Sequence, residues 1–306
     1  MQKDKIVVFG SFVVDLTSWA GHLPVAGETV KGSMFKMGPG GKGSNQAVAV
    51  HRAGGDVTMV TQVGDDVFGR VALDFYKNEG MNTDYIFIDK KTGTGSALIM
   101  VDENTGQNQI LVVSGACDTV TPEEVDSTES LIDAAKNVLL QLEINMDAIE
   151  RVVNMAHAKG KTIVLNTAPA QKLPDSLLSK VDIVTPNEIE AGALCDMTVE
   201  NEQDARKAAQ ILLDKGVRNV VITLGKNGVF VMTPEKHELI PAKKVKAVDT
   251  TGAGDAFNGG FVTALAEGKD IFEAARFGNI VGALSVTKIG TAPAMPYRDE
   301  IDSFVQ

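Results

Sequence analysis

The sequence predicts an α/β fold: a large, doubly wound, mostly parallel sheet with helices on both faces, and a small β-sheet lid. Three observations predict it. Strand-like and helix-like segments alternate along the 306 residues, which is typical of a parallel sheet wrapped by helices. The strand-like segments are short β-branched runs without polar alternation, as expected for strands that are buried on both faces. Two Gly- and Thr-rich stretches, at about 15–38 and 93–113, interrupt the alternation.

The central strands are predicted from five apolar runs. These runs are 6–9, 138–140, 162–165, 181–184 and 220–224.

Helix ends between the strands are also recognisable. Residues 121–124 offer a threonine N-cap, a first-turn proline and two acidic residues near the positive end of the helix dipole. Gly80, Gly160 and Gly216 each follow a periodic segment, where a C′ glycine ends a helix.

The two stretches that interrupt the alternation contain short strand-like pieces and no good helix. They predict a small sheet that stands off the main body and is made from two excursions of the chain. The sequence contains no linker, repeat or low-complexity tract. We therefore expect a single domain spanning residues 1–306, with a lid formed by about 15–38 and 93–113.

Composition and charge exclude several classes of protein. Hydrophobic residues at 44% and charged residues at 23% are typical of a folded, water-soluble chain. The net charge of −11 opposes binding to nucleic acid and to anionic membranes. Cys117 and Cys195 are too few for a disulfide framework or a thiolate metal site. The sequence shows no signal peptide and no apolar run of roughly 18 residues, so we expect a cytoplasmic protein.

The stretch 38–46 has the spacing G-x-G-x-x-G of a dinucleotide-binding fingerprint, and a helix-like run follows it. However, residues 34–37 are not the buried strand that should precede such a fingerprint. A phosphate-binding P-loop is excluded because Lys42 is followed by glycine and not by Ser or Thr. We favour close approach of the backbone to a polyhydroxylated ligand, with directional hydrogen bonds from Lys42 and Asn45.

The stretch 249–257 combines small residues with a carboxylate. Gly252, Ala253 and Gly254 would expose successive backbone N–H groups at a helix N-terminus, which makes a site for developing negative charge. Asp255 would repel a bound phosphate. It suits a base that takes a proton from an attacking hydroxyl while the amides hold phosphoryl oxygens. The alternative is a Gly-rich N-cap with a purely structural role.

Three further segments carry polar residues next to predicted strands. Asn187 and Glu190 are spaced as a helix-capping pair, and they could also organise a hydrated magnesium ion near nucleotide phosphates. Both functions can coexist. The stretch 223–228 contains an Asn-Gly pair that predicts a hairpin turn at a sheet edge. Glu143 closes a strand, where α/β sheets bind ligands, although simple surface exposure is the alternative.

Together these segments resemble the ribokinase family of carbohydrate kinases, and the resemblance spans nearly the whole chain. The matching elements are Gly10 and Ser11 followed by Asp15, the stretch 40–45, Asn187 with Glu190, the stretch 223–225, and the stretch 249–255. The resemblance implies a large α/β domain with a β-sheet lid, and transfer of the γ-phosphoryl group of ATP to a sugar hydroxyl. It also implies a homodimer that forms through the lid.

The resemblance further implies roles for individual positions. Asp255 is similar to the family's catalytic base, and Gly252, Ala253 and Gly254 to its anion hole. The sugar-binding positions are Val13, Asp15, Gly41, Lys42, Asn45, Glu143 and Asp255. The nucleotide-binding positions are Asn187, Thr223, Gly225, Gly228, Gly254 and Asn279. An activating potassium ion falls at Asp249, Thr251, Ser285, Lys288 and Gly290, mostly through backbone carbonyls, and Glu190 is expected to hold magnesium through water.

Two positions depart from the family pattern. Ala294 stands where a serine hydroxyl often completes the potassium shell, and Val13 stands where an asparagine often faces the sugar. We expect an ATP-dependent kinase that acts on the 5-hydroxyl of a pentose, D-ribose, with 2-deoxyribose as the alternative.

Three other functions compete with this one. A sugar-phosphate kinase would need several basic residues in the lid, but Lys31 and Lys36 are the only ones in its first segment. A nucleoside kinase is a weaker alternative, because such enzymes usually stack the base on aromatic residues and the chain has only 5% of them. So is a non-catalytic sugar-binding protein, although binding alone would not require Asp255.

Overall fold

The computed structural model of the protein describes residues 4–305. The strands are β1 (Lys5–Phe9), β2 (Val13–Ala20), β3 (Met34–Gly40), β4 (Asp56–Gly64), β5 (Ile86–Asp89), β6 (Thr94–Asp102), β7 (Asn108–Gly115), β8 (Ala135–Leu140), β9 (Thr162–Leu165), β10 (Ile183–Val184), β11 (Asn219–Thr223), β12 (Val229–Met232) and β13 (His237–Ile240). The helices are α1 (Lys42–Arg52), α2 (Val67–Asn78), α3 (Pro122–Ser127), α4 (Glu129–Ala134), α5 (Met146–Ala158), α6 (Asp175–Leu178), α7 (Glu188–Cys195), α8 (Glu202–Asp214), α9 (Ala253–Ala266), α10 (Ile271–Ser285) and α11 (Arg298–Val305).

The large sheet has nine strands in the order β13-β12-β11-β10-β9-β8-β1-β4-β5. The β11–β12 and β12–β13 pairs are antiparallel, and the other neighbours are parallel. Helices cover both faces, because Ile6 and Val8 pack into the core with α1, α2, α9 and α10, whereas Val7 and Phe9 pack into the core with α5, α7 and α8. The predicted doubly wound, mostly parallel α/β sheet is therefore confirmed.

Local signals in the sequence also match the structure. Thr121 caps α3 in a reciprocal arrangement with Glu124, and Gly80, Gly160 and Gly216 have positive φ angles just after α2, α5 and α8. The strand predicted at 181–184 is shorter, because only Ile183 and Val184 join the ladder and the Asp182 carboxylate instead accepts a hydrogen bond from the Ile163 N–H. These local features place the loops that follow each strand.

The predicted small sheet is present, with four strands in the order β3-β2-β6-β7. Strands β2 and β6 are parallel, and the outer pairs are antiparallel. The sheet extends beyond the predicted bounds of 15–38 and 93–113 at three ends. Strand β2 begins two residues earlier, soon after β1, and β3 and β7 each end two residues later. Many of its apolar side chains are exposed: Met34, Phe35, Met37, Leu98, Met100, Ile110, Leu111, Val112 and Val113.

Within residues 4–305, no helix is both long enough and apolar enough to span a bilayer.

Candidate active site

The site lies where the carboxyl ends of β1, β8 and β9 meet the N-termini of α1 and α9, the usual ligand position in an α/β sheet. Two glycines allow this meeting. A Cβ atom on Gly43 would lie 2.6 Å from the Cα of Gly10, and a Cβ atom on Gly10 would lie 2.0 Å from Oε1 of Gln141. Only glycine at both positions lets α1 approach β1 and β8 so closely.

Asp255 lies in the first turn of α9 and is buried. Both of its carboxylate oxygens accept hydrogen bonds from α1. The Asn45 amide donates to Oδ2 at 2.9 Å, and the Gln46 amide donates to Oδ1 at 2.9 Å. Burial raises the pKa of Asp255, whereas the Lys42 ammonium and the two amides act in the opposite direction. Asp255 is therefore an oriented carboxylate that is more basic than one at the surface.

Glu143 joins the start of α1 to the end of β8. Its Oε2 atom accepts hydrogen bonds from the Ser11 hydroxyl at 2.5 Å and from the Lys42 backbone N–H at 2.9 Å. The Lys42 ammonium lies 3.9 Å from Oε1. Burial would lower the pKa of Lys42, but Asp255, Glu143 and Glu190 outweigh burial and raise it. Lys42 therefore remains a cation inside the site.

Asp15 and Val13 project from the same face of β2, because alternate residues of a strand share a face. The Asp15 carboxylate lies over Gly40, where a Cβ atom would be 2.2 Å from Oδ1. Burial, together with Glu143 and Asp255, raises the pKa of Asp15 to about 6. Val13 is buried, and its Cγ1 atom would be 2.8 Å from a Cβ atom on Gly95. The base of the small sheet thus contributes one carboxylate and one apolar wall.

Gly41 begins α1 with a φ of 91°, which favours glycine. A Cβ atom there would also lie 2.8 Å from the Ser11 carbonyl oxygen. The glycine stretch therefore serves close backbone packing at the site. The residues at 34–37 form the exposed β3 strand and not a buried strand of the large sheet, which excludes the dinucleotide-binding fingerprint.

The loop before α9 is arranged around Asp249. Its carboxylate accepts the N–H groups of Thr251 and Gly290, each at 2.9 Å. These two bonds outweigh burial and lower the pKa of Asp249. Gly252 then enters α9 with a φ of 77°. The first N–H groups of a helix have no partner within it and lie at the positive end of its dipole, so this loop can hold an anion.

Three of the five positions expected to bind potassium are joined by hydrogen bonds, since Thr251 and Gly290 both donate to Asp249. The side chains of Ser285 and Lys288 are engaged elsewhere. The Ser285 hydroxyl donates to the Gly282 carbonyl at 2.8 Å, and the Lys288 ammonium pairs with Glu300 at 2.6 Å. Within residues 4–305, no cluster of three His, Cys, Asp or Glu side chains could hold a metal. What remains is backbone carbonyl oxygen, a neutral ligand type that fits potassium. Ala294 is buried and adds no side-chain oxygen.

Asn187 and Glu190 form the expected capping box at the start of α7. Glu190 accepts the Asn187 N–H at 2.9 Å and the Asn187 amide at 2.8 Å. Burial raises the pKa of Glu190. Both carboxylate oxygens are thus occupied once, and each retains a lone pair for a water molecule. The residues fit a magnesium ion that is bound through water.

Most of the expected nucleotide positions lie close to one another. Asn187 bridges to Thr223 at the end of β11. Gly228 has a φ of 104°, and a Cβ atom there would lie 2.0 Å from the carbonyl oxygen of Ile240. The Asn279 amide donates to the Pro241 carbonyl at 2.8 Å. The turn and α10 therefore meet beside the end of β13.

The hairpin prediction at 223–228 is correct in outline but wrong in two details. The strands β11 and β12 do pair in antiparallel fashion. They are connected through the 3₁₀ turn Gly225–Asn227, and β13 lies beyond them, so the hairpin is not at the sheet edge.

Sequence reasoning missed a buried chain of polar side chains behind Asp255. Gln141 donates to Gln46 at 2.6 Å, and Gln46 donates to Asn166 at 3.0 Å. Asn166 donates to the Thr185 carbonyl at 2.8 Å. Polar residues at the ends of buried strands could have indicated this chain. Among such residues, sequence reasoning identified Glu143 but neither Gln141 nor Asn166.

The chain belongs to the pfkB family of carbohydrate kinases, because the model of that family matches residues 3–298. It is 41% identical to a ribokinase of Haemophilus influenzae, over 98% of both chains. It is 36% identical to a deoxyribokinase of Salmonella typhi, also over 98% of both. The solved structure of Arabidopsis thaliana ribokinase complexed with ribose and ATP superimposes with a TM-score of 0.93 at 30% identity, covering 100% of this chain and 99% of that one. The expected family is confirmed.

Proposed function

We propose that the protein transfers the γ-phosphoryl group of ATP to the 5-hydroxyl of D-ribose. The observation that carries this proposal is the buried Asp255 carboxylate, which two amides of α1 orient beside the N-terminus of α9. A carboxylate next to N–H groups suits a base that acts while phosphoryl oxygens are held. The similarity to ribokinases, one of them solved with ribose and ATP, supports the choice of both substrates.

In the proposed reaction, the ribose 5-oxygen forms a bond to the γ-phosphorus while the bond from that phosphorus to the ADP oxygen breaks. Asp255 takes the hydroxyl proton. The N–H groups of Gly252, Ala253 and Gly254 and the Lys42 ammonium would face the negative charge of the transferred group, and for this the Ala253 N–H would leave the Thr250 carbonyl, to which it donates at 3.2 Å. Because the transition state of phosphoryl transfer is loose, positioning and charge stabilisation contribute more than the strength of the base.

The sugar would bind between the small sheet and α1. Carboxylates of Asp15 and Glu143 can accept hydrogen bonds from hydroxyls, and Lys42 can donate them. Oδ1 of Asn45 is buried and has no hydrogen-bond partner among the residues that the structure describes. An acceptor buried without a partner is costly, and a sugar hydroxyl would satisfy it. Gly41 keeps the backbone close enough for this contact.

The nucleotide would bind along Asn187, Thr223, Gly225, Gly228, Gly254 and Asn279. Glu190 would hold magnesium through water, and that ion would neutralise phosphate charge. Potassium would bind to carbonyl oxygens at Asp249, Thr251, Ser285, Lys288 and Gly290, and it would order the loop before α9.

The exposed apolar side chains of the small sheet support a homodimer that forms through this sheet, since such patches mark interaction sites. Leu111 is 62% exposed there. Light scattering after size exclusion should give the mass of a dimer for the parent and that of a monomer for Leu111→Glu. A monomeric parent would contradict the dimer.

A second candidate substrate is 2-deoxyribose. The observation that favours it is Val13, whose apolar side chain lies on the same face of β2 as Asp15 and offers no hydrogen bond to a hydroxyl. The similarity to a deoxyribokinase also supports 2-deoxyribose as a substrate.

A coupled assay of ADP release tests the proposal over ribose, 2-deoxyribose, fructose and nucleosides. We expect ribose and 2-deoxyribose to give the highest kcat/KM values of the panel. A preference for nucleosides would assign another substrate class. ADP release that no sugar raises above background would indicate a non-catalytic sugar-binding protein.

A further inference from the structure

Gln46 lies between Asp255 and a second buried glutamine, Gln141. Its Nε2 atom donates to Oδ1 of Asp255 at 2.9 Å and to Oδ1 of Asn166 at 3.0 Å. Its Oε1 atom accepts the Gln141 amide at 2.6 Å. Gln46 and Gln141 are fully buried, so water does not compete for these bonds.

These contacts determine which end of the Gln46 amide faces Asp255. The oxygen end is held by Gln141, and both N–H groups are used by Asp255 and Asn166. Asn166 is itself oriented, because its own amide donates to the Thr185 carbonyl at 2.8 Å. A reversed Gln46 amide would place its oxygen against a carboxylate oxygen and lose all three bonds. Gln46 is therefore held as a donor to Asp255.

The other charged groups around Asp255 come from four elements. Lys42 of α1 is the cation that faces it, and the carboxylates of Glu143, Glu190 and Asp15 approach from the end of β8, from α7 and from β2. Burial and these carboxylates favour the protonated acid. Gln46 and Asn45 favour the ionised form because they donate to it.

We propose that Gln46, held by Gln141, is a positioning residue that keeps the Asp255 carboxylate ionised and aimed at the attacking hydroxyl. This inference rests on the proposed function, in which Asp255 is the base. Gln46 itself is buried behind Asp255 and acts through that carboxylate.

The test compares Gln46→Met, Gln141→Met and the control Gln62→Met by steady-state kinetics with ribose and ATP. Gln62 is also a buried glutamine, but its amide is directed to Glu124 at 3.4 Å. Losing a hydrogen bond to a charged group should lower kcat by about 10- to 100-fold in Gln46→Met, with KM within a few-fold. Gln141→Met should show a smaller loss of kcat, and Gln62→Met should keep the parental kcat.

The pH profile separates this role from a merely structural one. Without the donor, the acid limb of the kcat profile should move up by about one pH unit, because the base then needs a higher pH to ionise. Gln46→Glu should move it further, since two adjacent carboxyl groups share a proton. If Gln46→Met does not fold, Gln141→Met and Gln46→Glu still give this readout. An unchanged acid limb in the folded variants would overturn the proposal.

A double-mutant cycle distinguishes the failure of this inference from the failure of the proposed function. If Gln46 acts through Asp255, then adding Gln46→Met to Asp255→Asn should lower kcat no further. An equal loss of kcat with and without Asp255→Asn would overturn the role of Gln46. A near-parental kcat in Asp255→Asn alone would instead overturn the assignment of the base, and with it the basis of the inference.

Discussion

The side-chain nitrogen of Asn45 lies 2.9 Å from Oδ2 of Asp255, although the two residues are 210 positions apart in the chain. Asn45 belongs to the helix that carries the expected sugar-binding residues, and Asp255 to the helix that carries the expected anion hole. This hydrogen bond therefore connects the two halves of the proposed reaction.

Asp255→Asn should lower kcat by about 10² or more, because the amide cannot accept the hydroxyl proton. Binding of ribose and ATP should remain within a few-fold, since the side chain keeps its shape. Kinetics and calorimetric titration measure the two effects. Asp270→Asn is the matched control, because Asp270 also begins a helix but only caps α10. A near-normal kcat for Asp255→Asn would remove Asp255 from the base role.

Gly43→Ala should lower the free energy of unfolding by about 1–3 kcal/mol, the usual cost of overpacking. Its new methyl group would lie 2.6 Å from the backbone of Gly10, so α1 would have to move away from β1. Gly38→Ala is the control, because a Cβ atom there meets no described atom within 4 Å. Urea unfolding measures both variants. Equal stability of the two would show that close approach of α1 is not required.

Ribose affinity should fall as the pH drops below about 6. The pKa of Asp15 is raised to about 6 by burial beside Glu143 and Asp255, and the ionised carboxylate is the form that accepts hydroxyl hydrogen bonds. Because binding prefers the deprotonated form, the dissociation constant should rise about tenfold for each pH unit below that pKa.

Calorimetric titration of ribose without nucleotide, above and below this pKa, measures the effect. Asp15→Asn should bind ribose more weakly and without this pH dependence. Parental affinity that stays constant across the range would refute the role of Asp15.

Val13→Asn should shift the sugar preference towards ribose. A hydroxyl that is buried against Val13 without a partner costs about 1–3 kcal/mol, whereas 2-deoxyribose would avoid this cost. The parent should therefore use 2-deoxyribose at least as well as ribose by kcat/KM, and an added hydroxyl is rejected only by about 10² in such pockets. The two sugars are compared in both proteins. A strong parental preference for ribose that Val13→Asn leaves unchanged would mean that Val13 is only a wall.

Potassium should activate the enzyme by ordering the loop 249–254. Because Ala294 supplies no side-chain oxygen, activation should require more ion than in Ala294→Ser. A titration of KCl against NaCl at fixed ionic strength measures this for both proteins. Equal rates in the two salts would remove the ion from the mechanism.

Local patterns explain what could be predicted from the sequence. The run at 6–9 is apolar on both faces of the strand, so burial in a parallel sheet follows from these residues alone. The helix caps at Thr121 and Asn187 depend on residues three positions apart. The glycine stretch and the stretch 249–257 carry their chemistry within a few residues, which is why their roles could be proposed without a structure.

Contacts between distant segments were decided only by the tertiary structure. The parallel pairing of β2 with β6, the amide chain from Gln141 to Asp255 and the raised pKa of Asp15 all join residues from separate parts of the chain. Periodicity reports whether a side chain is buried, but it does not report which distant group lies beside it. The sequence by itself therefore determined the sheet, the caps and the reactive motifs. Tertiary packing decided how Asp255 is oriented and charged, because hydrogen bonds and pKa values depend on distances of a few ångströms.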